Sequence, residues 1–265
     1  MTDESLDESR PTTGRDTSRR TAAVIPAAGR GIRLGPGAPK ALRALSGTPM
    51  LIHAVRAMAD SRAVSLVVVV APADEATAVK NLLDEHALPE RTDFVVVPGG
   101  ETRQESVRLG LDALPAGITT VLVHDAARPL VPVDTVDAVI EAVRDGAPAV
   151  VPALPLTDTV KQVEPRAKGE PEPVVATPER ALLRAVQTPQ GFDRATLVRA
   201  HETFAAGGEG AAPGEGATDC AGMVEQLGVQ VVVVPGHEEA FKVTRPLDLV
   251  LAEAVLARRR ANDVF

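Results

Sequence analysis

Five short apolar runs rich in β-branched residues recur along the chain, TAAVIP, SLVVVVAP, TDFVVVPGG, TTVLVHDAARP and APAVVPALP. Ala/Leu-rich segments of helical length fill most of the intervals between them. The runs are continuous rather than alternating, the signature of parallel strands covered by helices on both faces. Right-handed crossovers gather the loops that follow such strands at one edge of the sheet, so a site is expected there. A helix is predicted after Thr48-Pro49, with threonine as its cap, proline in its first turn, and Met50, Ala54 and Ala57 on its buried side. Near the C-terminus, Leu247, Val250, Leu251, Ala254 and Val255 follow a helical period between Pro246 and Arg258, which predicts a closing amphipathic helix buried through those residues.

The pattern changes after Leu156. TDTVKQV and PVVATP flank a polar, Pro/Gly-rich stretch and predict a projecting hairpin, an arm over residues 156–177 that a partner subunit can cover. GGEGAAPGEG at 207–216 reads as a flexible loop, and TDCAGMVEQLG signals a helix after it. No internal repeat is present. The expected organisation is a disordered tail at 1–20 followed by a single α/β domain at 21–265.

Composition narrows the function classes. With 28 Lys+Arg against 36 Asp+Glu the formal net charge is −8, which opposes capture of long polyanions yet leaves room for a small basic pocket. The chain has 5 Phe, no Trp and no Tyr, so stacking platforms for nucleic-acid bases are scarce. No apolar run approaches the roughly 20 residues of a spanning helix, and the first twenty residues lack the apolar stretch of a signal peptide. Neither nucleic-acid nor membrane partners are expected. The solitary Cys220 excludes an internal disulfide and suits the cytoplasm, and nothing beside it in TDCAG would activate a thiol.

Three loops carry candidate chemistry. In VIPAAGRGIRLGPGAPKAL a strand runs into small residues. There Gly29 and Gly31 allow backbone amides to approach an anion, and Arg33 and Lys40 can neutralise a polyphosphate. Lys40 is followed by Ala41 rather than Ser/Thr, so the segment is not a Walker loop, and it also misses the dinucleotide spacing. The alternative is a surface turn solvated by its cations. In PGGETRQESVRLGL, Gly99 and Gly100 permit direct backbone contact and Ser106 offers a hydroxyl to a base edge; helix capping or solvation explains Ser106 and Arg103 equally well. In VLVHDAARP, Asp125 can help organise Mg²⁺ and Arg128 can bind a second phosphorylated substrate, the alternative being a structural Asp125–Arg128 pair. His124 is read as supporting the strand, and His53, His86, His201 and His237 show no metal-ligand spacing. Further along, Thr159, Arg180, Thr188 and Lys242 supply hydroxyl and cationic groups, and Glu238-Glu239 reads as a solvated turn.

Taken in order, PAAGRGIRLG with APK, GGETRQESVRLGL, VHDAARP, the TDTVK arm, QTPQGF and FKVTRP resemble the 2-C-methyl-D-erythritol 4-phosphate cytidylyltransferase family over about residues 21–260. The resemblance implies a Rossmann-like nucleotidyltransferase fold, a mostly parallel mixed sheet with helices on both faces and a dimerising β-arm. It implies that Ala27, Ala28, Gly99 and Ser106 help hold CTP and that Arg33 and Lys40 stabilise its polyphosphate and the transition state. Asp125, with Mg²⁺ or another divalent cation, and Arg128 would flank the reaction. Thr159 and Arg180 would recognise methylerythritol phosphate across the homodimer, with Thr188 nearby and Lys242 completing the enclosure. The implied reaction joins CTP to 2-C-methyl-D-erythritol 4-phosphate and releases pyrophosphate. The sequence departs from the family at HEEAFKVT, where Ala240 lacks the side-chain hydrogen bonds of the expected asparagine, and at the longer arm tip PRAKGEPEP. A related transferase acting on another phosphorylated polyol, and a noncatalytic nucleotide sensor, are the competing readings.

Overall fold

The computed structural model describes residues 20–29, 40–205 and 218–262. The expected tail, apart from Arg20, and the loop at 207–216 lie outside the described residues. In chain order the elements begin with β1 (Arg20–Pro26), a two-residue ladder of β2 (Ala44–Leu45) and β3 (Thr48–Pro49), α1 (Met50–Ala59) and β4 (Val64–Ala71). Next come α2 (Ala76–Asp84), β5 (Asp93–Pro98), α3 (Arg103–Asp112), β6 (Ile118–Val123), α4 (Val133–Arg144) and β7 (Ala149–Pro155). The arm holds β8 (Gln162–Val163) and β9 (Val174–Ala176), and the chain closes with β10 (Arg184–Val186), β11 (Gln190–Asp193), α5 (Arg194–Ala205), α6 (Cys220–Gln226), β12 (Val231–Pro235) and α7 (Pro246–Asn262).

The five apolar runs all become strands of one 8-stranded sheet, ordered β10-β7-β11-β6-β1-β4-β5 with β12 alongside β7. Strands β1, β4, β5 and β6 are mutually parallel, as are β7 and β12, whereas β10 and β11 run antiparallel to their neighbours. The chain steps outward from β1 through β4 to β5 and then returns to the other side of β1 as β6. Loops after β1 and β6 therefore diverge, which opens a crevice at the C-terminal edge.

The continuous apolar character of β4 has a direct cause: both faces are covered. Val67, Val69 and Ala71 pack with residues of α1, α2 and α4, such as Ile52, Val79 and Val139, while Val68 and Val70 pack with Val107 and Leu111 of α3 and Leu197 of α5. Helix α3 approaches closely because it carries Gly110, where a Cβ would lie 2.5 Å from Val24 Cγ1. A third, smaller cluster joins Leu45, Met50, Leu130 and Val243 to Ala252 of α7.

Two local expectations are corrected. Thr48 does not cap α1; it pairs with Leu45, Pro49 occupies the cap position without a side-chain bond, and the Met50 amide donates to the Arg43 carbonyl at 2.9 Å. Backbone of the preceding ladder satisfies a donor that a side chain was expected to satisfy. Helix α7 buries a stripe rotated from the one predicted: Ala252 is inside with Leu249, Val255 and Leu256 against the third cluster, so of the predicted residues Val255 packs inward while Leu247, Val250 and Leu251 face outward. Both stripes are apolar, so the helical period does not distinguish them. The predicted hairpin is present as β8 paired antiparallel with β9, and it is exposed. No helix among the described residues is long and apolar enough to cross a membrane.

Candidate active site

The crevice at the C-terminal ends of β1, β5 and β6 is a cleft of about 300 Å³. Its walls are Pro26 to Gly29 after β1, Ala41, Gly100 to Arg103 and Ser106 at the start of α3, Asp125 to Ala127 after β6, and Lys242. Lys40 opens a 3-10 turn, Lys40–Leu42, directly before the wall residue Ala41. Gly31 and Arg33 lie outside the described residues.

The wall after β5 is held by hydrogen bonds from α3. Thr102 caps the helix by accepting from the Glu105 amide at 3.1 Å, and the Glu105 carboxylate reaches back to accept from the Glu101 amide at 2.9 Å, in the manner of a capping box. Ser106 Oγ accepts from the Gly100 amide at 3.2 Å. Gly99 backs the cleft, its amide donating to the Ala71 carbonyl at 2.7 Å. A Cβ at Gly99 would sit 2.7 Å from Ala28 Cβ and 3.0 Å from Ser106 Oγ, so glycine is what lets the three segments meet. At Gly29, by contrast, a Cβ would meet nothing within 4 Å and would project into open space.

Charge in the cleft converges on Asp125. Its Oδ1 accepts from Arg103 Nη2 at 3.2 Å and its Oδ2 from Lys242 Nζ at 2.7 Å. Burial would raise this carboxyl, but the Arg103 and Lys242 charges outweigh burial and hold it well below the usual carboxylate range. Asp125 is therefore ionised at neutral pH. Lys242 is aimed inward because the Val243 amide donates to the Ala127 carbonyl at 2.8 Å, tying the FKVTRP segment to the loop after β6. Sequence reasoning left Arg103 without a role. The missing signal was its partner, a carboxylate 22 residues away.

Among the described residues no group of three or more His, Cys, Asp or Glu could hold a metal ion by itself. Asp125 fits a more modest demand: one ionised carboxylate on the cleft wall can contribute an oxygen to a Mg²⁺ whose other ligands are phosphates and water.

The second group of predicted residues divides. Arg128 does not pair with Asp125 side chain to side chain; it donates to the carbonyls of Ala240 at 2.7 Å and Val186 at 3.3 Å, and its Nε is buried with no hydrogen-bond partner. Thr188 is buried, with its hydroxyl on the Asp125 amide at 3.1 Å and on His124 Nδ1 at 3.0 Å. Neighbouring Gln187 clamps His237, accepting from its amide at 3.0 Å and donating to its carbonyl at 2.9 Å. Thr159 and Arg180 are exposed on the arm and its stem, outside this cleft, and Arg180 donates to the Thr157 carbonyl. Glu239 departs from the expected solvated turn: it is ion-paired with Arg258 and Arg259 and anchors the turn before Lys242 to α7. Behind the cleft, Cys220 lies 3.6 Å from Arg103 Nη1 and 3.8 Å from His201 Nε2, and burial pushes its thiol up, leaving it unreactive.

A parallel strand order that switches sides at β1, helices on both faces, and a glycine-walled cleft with a cation-held carboxylate together define an α/β protein of the nucleotidyltransferase class. The family profile described as 2-C-methyl-D-erythritol 4-phosphate cytidylyltransferase, IspD, matches residues 21–258. The chain belongs to this family. It is 81% identical over 260 residues to the 2-C-methyl-D-erythritol 4-phosphate cytidylyltransferase of Streptomyces avermitilis, covering 98% of this chain and 99% of that protein. The crystal structure of the protein of the same name from Thermus thermophilus is similar, at TM-score 0.65 and 36% identity, over 89% of this chain and 98% of that one. The 4-diphosphocytidyl-2C-methyl-D-erythritol synthase of Anaerococcus prevotii superposes at TM-score 0.74 with 26% identity, over 91% of this chain and 99% of that one.

Proposed function

We propose that this chain transfers a cytidylyl group from CTP to 2-C-methyl-D-erythritol 4-phosphate, giving 4-diphosphocytidyl-2-C-methyl-D-erythritol and pyrophosphate in the non-mevalonate isoprenoid pathway. The observation that carries the reading is the ionised Asp125 between Arg103 and Lys242 on the wall of the cleft at the strand ends, in a chain of this family. Ala27, Ala28, Gly29 and Gly31 serve the triphosphate, and Gly99, Gly100 and Ser106 serve the base and ribose. Arg33 and Lys40 neutralise the polyphosphate as charge moves onto it.

The acceptor is a phosphomonoester whose second pKa is about 6, so at neutral pH it is largely a dianion and needs no dedicated base. An oxygen of that dianion attacks the α-phosphorus in line, a new P–O bond forms, and the bond to the bridging oxygen of pyrophosphate breaks. The work of the protein is positioning and charge stabilisation. Lys242 orients the attacking phosphate at the Asp125 side of the cleft, and Arg128 holds the backbone of that side through its bonds to Ala240 and Val186. Mg²⁺, when bound at Asp125, offsets negative charge on the triphosphate.

In this reading Thr159 and Arg180 act in trans, in the cleft of a second copy. Their distance from their own cleft supports that role, as does exposed apolar surface on the arm and its stem, where Val174, Val175 and Leu182 are 56%, 58% and 76% exposed. In the same reading the enzyme is a cytoplasmic homodimer joined through the arm.

Purified protein with CTP, methylerythritol phosphate and Mg²⁺ should yield both the cytidine-linked product and pyrophosphate, and ribitol phosphate should compete poorly as acceptor. Absence of both products from folded protein rejects the reading. Lys40→Ala should lower turnover far more than it lowers folding stability; a normal rate at saturating substrates would remove Lys40 from this role.

A further inference from the structure

Strand β6 ends at Val123, and the next residue, His124, is completely buried and is not itself among the residues lining the cleft. Its two ring nitrogens face different partners. Nε2 lies 3.1 Å from the Arg128 carbonyl, and a carbonyl only accepts, so Nε2 carries the proton. Nδ1 is then an acceptor, 3.0 Å from Thr188 Oγ1. The Thr188 hydroxyl therefore gives its single proton to His124 and offers a lone pair to the Asp125 amide, 3.1 Å away. The result is one directional chain. Asp125 N–H donates to Thr188 Oγ1, Thr188 O–H donates to His124 Nδ1, and His124 Nε2–H donates to the Arg128 carbonyl. A fourth bond, from the Arg128 amide to the Asp125 carbonyl at 2.9 Å, closes the turn from inside.

We propose that His124 is a positioning residue for Asp125, acting through the hydroxyl of Thr188. One rigid ring fixes the amide at the start of the 125–128 turn and the carbonyl at its end, and so fixes where the Asp125 carboxylate meets Arg103 and Lys242. Thr188 serves the site by holding backbone. The geometry explains the residue types: the ring presents a donor and an acceptor on opposite edges, and the hydroxyl both accepts and donates. A hydrocarbon at either position leaves a buried polar group unpaired.

The activity arm of the test rests on the proposed transfer reaction, and amide exchange provides an arm that does not. Asparagine at 124 keeps an acceptor near the Nδ1 position, and glutamine keeps a donor near the Nε2 position. Thr188→Ser and His124→Asn should retain the Thr188 link and protection of the Asp125 amide from hydrogen exchange. Thr188→Val and His124→Gln should lose that protection and lower kcat by roughly 10- to 100-fold with little change in KM for CTP, as expected when a reacting group is misplaced rather than a binding contact removed. The double variant Thr188→Val with His124→Gln should be no slower than the worse single variant, because both break one chain. Should His124→Gln fail to fold, the near-isosteric Thr188→Ser and Thr188→Val pair decides the question alone. Wild-type kcat and amide protection in Thr188→Val, or multiplying losses in the double variant, overturn the proposal. If wild-type protein forms no product, the transfer reading fails while amide exchange still judges the brace.

Discussion

His201 offers a quantitative test of how the protein behind the cleft is built. The ring is nearly inaccessible, at 4% exposure, and its pKa is pushed from the ordinary 6.5 down to about 4, first by burial and then by the positive charges of Arg103 and Arg108. Folded protein therefore keeps this ring neutral where the unfolded chain has already taken up a proton. Stability contributed by His201 is intact above about pH 6.5, declines as pH falls toward 4, and is flat below that. The full loss is about 3 kcal/mol, from roughly 2.5 pKa units at 1.36 kcal/mol each, and about 2 kcal/mol of it falls between about pH 7.5 and about pH 5. His201→Gln removes the titration. The unfolding free energy of the variant should change by about 2 kcal/mol less than that of wild type over that interval, whatever its stability at neutral pH. His124, likewise pushed down to about 4 by burial, titrates over the same range and supplies a remaining slope. Urea unfolding followed by far-UV circular dichroism is the suitable assay, since the chain has neither Trp nor Tyr to report by fluorescence. Equal pH slopes in the two proteins would refute the neutral, buried ring.

Other perturbations have equally definite outcomes. Gly99→Ala presses a methyl against Ala28 and the Ala71 carbonyl, 3.1 Å away, and should raise KM for CTP with a smaller effect on kcat; unchanged nucleotide kinetics would contradict the close wall. Gly110→Ala gains about 1 kcal/mol of helix propensity but inserts a Cβ 2.5 Å from Val24 Cγ1 and 3.0 Å from Val70 Cγ2. Overpacking of this kind costs about 1–3 kcal/mol, so net destabilisation in urea is expected and a more stable variant would show that α3 can move away. Leu182→Asp places a charge on the most exposed large apolar side chain of the arm stem and should shift sedimentation toward monomer, with activity falling in parallel; a stable dimer would remove the stem from the interface.

The central parallel strands were legible in the chain because continuous Val-rich runs need two covered faces, and one parallel sheet provides them for all at once. The glycines at 99 and 100 and the carboxylate after β6 were legible too, since close approach and an ionised group at a strand end each demand a narrow set of residue types. Partnership was not. Asp125 precedes Arg128 by three residues, a spacing that invites a pair, yet the carboxylate goes to Arg103 and Lys242 and the guanidinium goes to two carbonyls. The stripe of α7 that meets Leu45 and Leu130, the grip of Glu239 on Arg258 and Arg259, and the inward turn of the Thr188 hydroxyl were equally hidden. The physical reason is common to all of them. Backbone preference and apolar period act over a few neighbouring residues and leave their mark in local order, whereas a charge or hydroxyl chooses whichever group the fold brings within about 3 Å, and in this protein that group lies up to 129 residues away.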